Sequence, residues 1–274
     1  MRCLLALSAG LGTLVAVSVG TPGPAIAGAW TRPEGSGQFI FSSGRRTAPA
    51  GALVGGATER NLTVTQIYVE YGLFDDLTIG ASAYAEFDLF DADEGSAAAA
   101  ILARKRLWQN DAGSVASVQA AFSVPFESVI REEFGRSKPD SVPELQLRGL
   151  YGTSWWGDWG NAFLSTEAGY YLRSEGAPDE IRLDATVGYE PRRCCMALFS
   201  VYGAVPLGHR TGHDNSSSLK IAPSFAYTLW PEIVRNAKKP PVPVFPSTIQ
   251  VGLDYDVLNG DDGLGLFISI WKRF

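Results

Sequence analysis

The sequence predicts an all-β protein that folds as a single antiparallel, transmembrane, up-and-down β-barrel of about twelve strands. Three observations predict this fold. Apolar and polar residues alternate with period two along most of the chain, the alternating runs are long, and short connections alternate with long ones. A tilted membrane strand needs about 9–11 residues, whereas strands of soluble proteins usually have about 5–6. Long alternating strands therefore favour a membrane barrel over a soluble β-sandwich.

The N-terminal part of the sequence is predicted to be a secretory signal peptide. Arg2 supplies a positive charge, residues 4–19 are apolar, and the tripeptide at 25–27 matches the A-x-A pattern of a cleavage site. An N-terminal membrane anchor is the alternative, but the apolar run is short for a spanning helix and is followed by prolines. The sequence thus divides into a signal peptide over residues 1–27 and an outer-membrane β-barrel over residues 28–274.

The strand pattern is clearest over residues 61–88. Ile67 and Val69 share one face of a strand, Glu70 lies on the other face, and residues 72–76 form a tight turn into the next strand. An even number of strands places both chain ends at the same end of the barrel. Continued along the chain, the alternation predicts strand cores at 36–43, 61–71, 77–88, 97–108, 114–125, 144–154, 161–173, 180–190, 196–206, 219–230, 247–258 and 263–274.

The connections separate into two kinds, which is the pattern of outer-membrane barrels with short periplasmic turns and long external loops. The short connections are 72–76, 109–113, 155–160 and 191–195. The long connections on the opposite side include 44–60, 126–143 and 207–218. The proline-rich segment 231–246 breaks this pattern, because it is long and falls on the side of the short turns. It is either a periplasmic excursion or a failure of the strand count.

The tryptophans are predicted to form an aromatic belt at one membrane interface. An indole prefers the headgroup zone, where its ring is buried and its N–H stays hydrated. Ordinary core tryptophans would instead lie in the middle of strands on one face. All the tryptophans fall on the side of the short turns: Trp30, Trp108, Trp155, Trp156, Trp159, Trp230 and Trp271.

The last strand carries the most specific signal. Apolar residues alternate from Leu264 to Ile270, and the sequence ends at Phe274. This pattern resembles the terminal strand of bacterial outer-membrane β-barrel proteins, which implies recognition by the barrel-assembly machinery through the strand ending at Phe274. Lys272 departs from the family, which more often has an aromatic residue there, but a lysine at the interface can extend its charge into water. The resemblance implies residence in a Gram-negative outer membrane, in contact with its lipid.

A second resemblance lies in the hairpin from Glu70 to Gly80. Its run Glu-Tyr-Gly-Leu-Phe-Asp-Asp-Leu-Thr-Ile-Gly is similar to a recurring hairpin of uncharacterised outer-membrane proteins. These include the transporter-like barrels of the phenol-degradation MetA-pathway type. The resemblance covers a few short segments and implies a transporter-like barrel without specifying its solute.

Charged residues of the alternating strands are predicted to line the lumen, because only the outward side chains of a membrane barrel must be apolar. Acidic and basic residues are nearly balanced, which argues against strong ion selectivity. They either line a water-filled pore or pair with one another and close it, for example through Arg104 and Arg106 facing Glu70. The candidate lumen-lining residues are Glu70, Glu86, Arg104, Arg106, Glu144, Arg148, Glu167, Arg182, Asp184 and Asp254.

Composition argues against several further roles. The chain has 23 Lys and Arg against 29 Asp and Glu, a net charge of -6, and no basic tail, so nucleic acid is not an expected partner. No cofactor or metal is implied. We interpret the adjacent Cys194 and Cys195 as small residues at a turn. A strained vicinal disulfide is the alternative, because exported chains meet an oxidising compartment.

The sequence predicts a passive channel or transporter-like protein for small solutes, and it assigns no catalytic residue. One alternative is an outer-membrane enzyme that modifies lipid, for which His209 and His213 in a predicted external loop are the available histidines. A nucleophile motif of the G-x-S-x-G type is absent from the sequence. The other alternative is a structural or adhesive barrel whose loops 44–60 and 126–143 meet a partner.

Overall fold

Long strands make up most of the described chain. The computed structural model describes residues 28–48, 60–88, 95–126, 142–174, 177–192, 194–208, 216–229, 247–258 and 264–274. The predicted signal peptide over residues 1–27 lies outside them. The shortest strands have 10 residues and the longest have 15, which is long enough to cross a membrane at a tilt. The strands are β1 (Gly37–Ala48), β2 (Arg60–Phe74), β3 (Leu77–Asp88), β4 (Gly95–Gln109), β5 (Val115–Pro125), β6 (Glu144–Gly157), β7 (Gly160–Arg173), β8 (Asp179–Arg192), β9 (Cys195–Leu207), β10 (Ser218–Leu229), β11 (Ser247–Asp256) and β12 (Leu264–Arg273).

The strands form one closed antiparallel barrel. Each strand pairs with its neighbours in sequence, and β1 closes the barrel on β12, with Gln38 opposite Arg273 and Ser42 opposite Ser269. The main chain of Gly37 also exchanges two hydrogen bonds with Phe274, of 2.7 and 3.0 Å. Closure leaves no open sheet edge, which lipid would not tolerate. The predicted all-β, twelve-stranded barrel is confirmed.

The observed strand bounds differ from the predicted ones mainly in two places. Strand β1 continues into the predicted loop 44–60, because its residues keep pairing with both β2 and β12. The connection between β6 and β7 shrinks from the predicted 155–160 to residues 158–159. There Trp155 pairs with Ala162, so a residue predicted in the turn extends the strand.

Several predictions concern residues outside the described ranges. These are the segment 231–246, the histidines His209 and His213, and most of the predicted long loops. Within the described ranges, no helix is both long and apolar enough to cross a membrane. What the structure describes is therefore the barrel wall, its short turns and the residues that precede β1.

The two faces of the barrel wall have opposite character. Ile101 and Leu266 are 66% and 60% exposed on the outside, whereas Glu70 and Arg104 are 1% and 0% exposed on the inside. A soluble β-protein would show the reverse, because buried charge is costly unless it is paired and large exposed apolar surfaces associate. An apolar outer surface around a charged interior is stable in lipid.

The two ends of the barrel differ in the length of their connections. The short-turn end carries the turns 75–76, 110–114 and 158–159, together with the start of β1 and the end of β12. The long-loop end carries the opposite ends of the same strands. The chain enters the described barrel at the short-turn end, where residues 28–36 precede β1.

The predicted tryptophan belt is correct for only part of the set. Trp271 is 2% exposed, because it lies on the inward face of β12. Trp30 packs against Phe163 inside the barrel. These two tryptophans lie at the predicted end but on the wrong side of the wall, and Trp230 lies outside the described residues. Four tryptophans at the short-turn end are exposed, Trp156 most of all at 76%: Trp108, Trp155, Trp156 and Trp159.

Candidate functional site

The candidate site is the barrel interior, and apolar side chains fill part of it nearer the short-turn end. We call this set the apolar layer; its buried members are Ile40, Tyr68, Leu102, Ala121, Leu198, Ala226 and Trp271. Phe163 and Met196 pack against them. The members come from strands on opposite sides of the barrel. Side chains that line a wide open pore would be accessible to solvent, so their burial means that the interior is constricted at this level.

A polar cluster on β2, β4 and β5 lies beside the apolar layer. Glu70 accepts hydrogen bonds from the Tyr68 hydroxyl at 2.8 Å and from Arg104 Nη1 at 3.5 Å. Arg104 also donates from Nε and Nη2 to Gln119 Oε1, at 3.1 and 3.0 Å. The side chains of Glu70 and Arg104 are fully buried. Each therefore supplies the opposite charge that the other needs in a buried site.

A larger charged set, which we call the β6–β8 cluster, lies on three neighbouring strands. Arg148 on β6 reaches Glu167 on β7 at 2.9 Å and Asp184 on β8 at 3.7 Å. Arg182 on β8 reaches back to Glu144 on β6 at 3.7 Å. The ion pairs thus cross β7 in both directions and tie the three strands together on their inner face.

Two residues of β7, Gly169 and Tyr171, allow Arg148 and Arg182 to lie close together. Gly169 lies opposite Arg148 on one side and Arg182 on the other, and it has no side chain to separate them. Both guanidinium groups lie over the Tyr171 ring, whose centroid is 5.1 Å from Cζ of Arg148 and 3.9 Å from Cζ of Arg182. These are cation–π distances. A glycine and an aromatic ring therefore let two cations share a small volume.

Ion pairs also occupy the wall on the other side of the barrel. Arg46 on β1 and Asp254 on β11 pair at 2.9 Å across β12. Gly265 of β12 lies opposite both residues in the sheet register, and a side-chain carbon there would overlap the Asp254 carboxylate. Lys220 on β10 lies 3.9 Å from Asp256 on β11. Both signs of charge are therefore present around the interior.

The structure distributes the predicted lumen residues over several places. Glu70 and Arg104 lie in the polar cluster, and Asp254 pairs with Arg46. Glu86 accepts a hydrogen bond from the Tyr84 hydroxyl at 2.5 Å. Arg106 lies at a bulge of β4 and donates to Gln109 at 2.7 Å in an exposed position, apart from the interior clusters. The members of the β6–β8 cluster from the prediction are Glu144, Arg148, Glu167, Arg182 and Asp184.

The interior side chains that the prediction missed include Arg32, Arg46 and Tyr171. Arg46 fell in the predicted loop 44–60, and Arg32 precedes the first predicted strand. Tyr171 lies in a predicted strand, and its alternation with Glu167 was a signal that could have placed it inside. These three residues are thus either outside a recognised strand or uncharged.

In the part of the chain that the structure describes, no group of three or more His, Cys, Asp or Glu side chains is arranged to hold a metal ion. The Sγ atoms of Cys194 and Cys195 lie 2.9 Å apart at the connection from β8 to β9. This connection lies at the short-turn end.

Comparison with known proteins identifies the fold. No model of a known protein family matches the sequence, and no curated protein matches it. The crystal structure of the COG4313 outer membrane channel from Pseudomonas putida F1 is similar, with a TM-score of 0.59 and 13% identity over 92% of this chain and 100% of that chain. The NanC porin is similar, with a TM-score of 0.53 and 10% identity over 86% of this chain and 98% of that chain. At these identities the similarity concerns the fold, that of an outer-membrane β-barrel.

Proposed function

We propose that this protein is a passive channel for small solutes in the outer membrane of a Gram-negative-type cell. The observation that carries the proposal is the reversed character of the barrel wall, which is apolar outside and charged inside. The apolar outside fits lipid, and the charged inside is stable where its groups are paired or hydrated. A closed barrel with such a wall is suited to a hydrated path for polar solutes.

The proposal places the short-turn end in the periplasm and the long-loop end outside the cell. The exposed tryptophans at the short-turn end support this orientation, because they would lie in the headgroup zone of the inner leaflet. Cleavage after Ala27 would deliver residues 28–274 to the membrane. Phe274, whose main chain bonds to Gly37 where the barrel closes, would be the residue that the assembly machinery recognises.

The interior ion pairs support weak selectivity between cations and anions. The pairs Arg148–Glu167 and Arg46–Asp254 place both signs of charge on the wall. The names of the two similar structures, an outer membrane channel and a porin, support the same class of function. The hairpin from Glu70 to Gly80 supports a relation to the transporter-like barrels of the phenol-degradation type.

Single-channel recording tests this proposal. Purified protein in a planar bilayer is expected to give discrete conductance steps with weak ion selectivity. Asp254→Asn removes one interior negative charge and should shift the reversal potential in a KCl gradient towards anion selectivity. Asp76→Asn is the matched control, because Asp76 pairs with Lys105 in an exposed position at the barrel rim. It should leave the reversal potential unchanged.

Two results would contradict the channel. The first is silence of both the folded wild type and a folded Trp271→Ala variant, in which the apolar layer is widened. The second is release of fatty acid from phospholipid or lipid A that is lost in His209→Ala or His213→Ala, which would establish the lipid-modifying enzyme instead.

A further inference from the structure

The connection between β8 and β9 holds two neighbouring thiols, and we call Cys194 and Cys195 the dithiol pair. Their Sγ atoms lie 2.9 Å apart, and both residues are half-buried. Successive residues of a strand point to opposite faces, so neighbours in the middle of a strand hold their side chains apart. Here Cys195 is the first residue of β9, and Cys194 belongs to the turn before it. The change from turn to strand therefore lets the two sulfur atoms meet.

The neighbouring strands hold the main chain of the dithiol pair in place. The carbonyl of Cys194 accepts a hydrogen bond from the N–H of Thr228 on β10, at 2.8 Å. Cys195 pairs with Tyr227 on β10 and with Arg192 on β8. Because both residues are attached to the sheet, the two thiols are brought together by the fold of the barrel.

The dithiol pair lies on the outer side of the barrel rim at the short-turn end. Tyr227, opposite Cys195, is 41% exposed on the outside of the wall. Arg192, on the other side of Cys195, is exposed as well. Cys194 lies in the connection, beyond the last residue of β8. The thiols are therefore separate from the interior clusters and lie at an end of the barrel that water reaches.

The sequence leaves one intramolecular disulfide for the exported chain. It has three cysteines, and Cys3 lies in the predicted signal peptide. Once that peptide is removed, a disulfide within the chain would join Cys194 to Cys195. Exported chains meet an oxidising compartment, in which two thiols so close together are readily oxidised.

A disulfide between neighbouring residues is strained by their spacing along the chain. Disulfides usually join Cα atoms about 4.4–6.8 Å apart, whereas the Cα atoms of neighbouring residues are about 3.8 Å apart. Strained disulfides are more easily reduced than structural ones, and they are the kind that takes part in exchange. The bond between Cys194 and Cys195 is therefore suited to form and break repeatedly.

We propose that the dithiol pair is a thiol–disulfide exchange site, whose substrates are disulfides and thiols in the compartment at the short-turn end. The cation of Arg192, exposed beside the pair, favours substrates that carry carboxylates. The exchange takes place on the outer side of the rim, so it does not depend on passage of solutes through the barrel.

Oxidation of the pair takes two steps. Cys194 Sγ attacks one sulfur of a substrate disulfide, which forms a mixed disulfide and releases the first substrate thiol. Cys195 Sγ then attacks Cys194 Sγ, which closes the bond within the pair and releases the second substrate thiol. The pair loses two electrons and two protons, and the substrate disulfide takes them up as it becomes two thiols. Reduction follows the same steps in reverse.

Mass spectrometry of the purified protein in detergent micelles tests the exchange, with glutathione disulfide as the probe. The wild type is expected to lose two hydrogens and to carry almost no glutathione. Cys195→Ser is expected to keep glutathione on Cys194, because the thiol that would displace it is gone. The bound glutathione should be at least about tenfold lower in the wild type, since a neighbouring thiol acts at an effective concentration of about millimolar. An excess of reduced glutathione should then restore both thiols of the wild type.

The matched control keeps two thiols but separates them. The double variant Cys194→Ser, Ala197→Cys places both on β9, where Ala197 is exposed. Residues two apart on a strand have Cα atoms about 6.8 Å apart, and their Cβ atoms are farther apart than the about 3.5–4.5 Å of a disulfide. This variant should carry glutathione on both thiols instead of losing two hydrogens.

Phenylarsine oxide tests the closeness of the thiols without an oxidant. Its arsenic binds two thiols at once and releases one water. The reduced wild type is expected to retain it through dialysis, whereas Cys194→Ser and Cys195→Ser, each with one thiol, are expected to lose it. Inductively coupled plasma mass spectrometry of arsenic measures the bound amount.

Two results would overturn the exchange site. The first is as much bound glutathione on the wild type as on Cys195→Ser. The second is a disulfide of the wild type that an excess of reduced glutathione leaves intact, which would make the bond a purely structural one. If the variants do not fold, the wild type decides alone, because loss of two hydrogens and gain of glutathione change its mass in opposite directions. Neither result bears on conductance, so failure of the exchange site leaves the proposed channel in place.

Discussion

Residues 28–36, which we call the N-terminal segment, and the β6–β8 cluster both place charge inside the barrel, but they are attached in different ways. Arg148, Glu167 and Asp184 project from neighbouring strands of the wall. Glu70 also belongs to the wall, but its partner Arg32 belongs to a segment outside the sheet. Separating the first set requires strands to part, whereas separating the second requires only that the segment move. A buried ion pair can therefore join strands of the wall to one another or attach a segment outside the sheet to the wall, according to where the second charge is attached.

The largest expected effect comes from removing a charge of the wall. Arg148→Met leaves Glu167 and Asp184 buried with one cation fewer, and it is expected to lower the free energy of unfolding by about 3–5 kcal/mol. Arg32→Met is expected to lower it by less than about 1.5 kcal/mol, because Arg32 is partly exposed and Glu70 keeps two other partners. Urea unfolding in the same lipid, followed by tryptophan fluorescence, measures both values. Equal losses would mean that the N-terminal segment is as integral to the barrel as the β6–β8 cluster.

The sequence predicts the place of the β6–β8 cluster but not the place of residues 28–36. Strand residues such as Arg148 and Glu167 have alternating neighbours, so local pattern alone assigns them to the inner face. Residues 28–36 have no such pattern, because they form no strand. Their place depends on Gly152 and Phe163, which are distant in sequence and are brought near only by closure of the barrel.

Trp271 and Arg46 show two other limits of the sequence. Trp271 alternates with the outward-facing Ile268 and Ile270, so the strand pattern assigns it to the inner face of β12. The preference of an indole for the interface concerns its depth in the membrane and says nothing about the face of the strand on which it lies. Arg46 follows a Ser-Ser-Gly run that favours a loop. It is held in β1 by pairing with Leu62 on β2 and Gly265 on β12, which are contacts between strands rather than local preferences.

A smaller loss of unfolding free energy is expected at Gly265, where the inner face of the wall has no room for a side chain. Gly265 leaves the space through which Arg46 and Asp254 pair at 2.9 Å, so a methyl group there would crowd the carboxylate. Gly265→Ala is expected to lower the free energy of unfolding by about 1–3 kcal/mol. Gly149→Ala makes the same change on the outer face of β6, where an added carbon meets no atom within 4 Å. It should be neutral or slightly stabilising, since alanine restricts the unfolded chain more than glycine does. Urea unfolding measures both variants. Equal losses of unfolding free energy at Gly265 and Gly149 would exclude crowding of the Asp254 carboxylate as the cause.

The smallest effect is expected at the rim, where an ion pair belongs neither to the interior wall nor to the N-terminal segment. Lys105 Nζ donates to Asp76 Oδ2 at 2.5 Å, and this hydrogen bond holds the pKa of Asp76 below its usual value of 3.8. A carboxyl group with a lower pKa in the folded state stabilises the fold at pH values above its unfolded pKa. That stabilisation is lost as the pH falls through the folded pKa. Both side chains are nearly half exposed, so solvent and salt screen the pair.

Lys105→Gln is therefore expected to raise the pKa of Asp76 towards 3.8 and to leave the urea midpoint at pH 7 almost unchanged. Carbon NMR of aspartate carboxyl groups in micelles, titrated below pH 5, measures the pKa. An unchanged Asp76 pKa in the variant would assign the shift to the main chain of the turn. A loss of stability at pH 7 as large as that of Gly265→Ala would put this outer pair on a level with the interior wall. The ion pairs that stabilise the fold would then not be confined to the barrel interior.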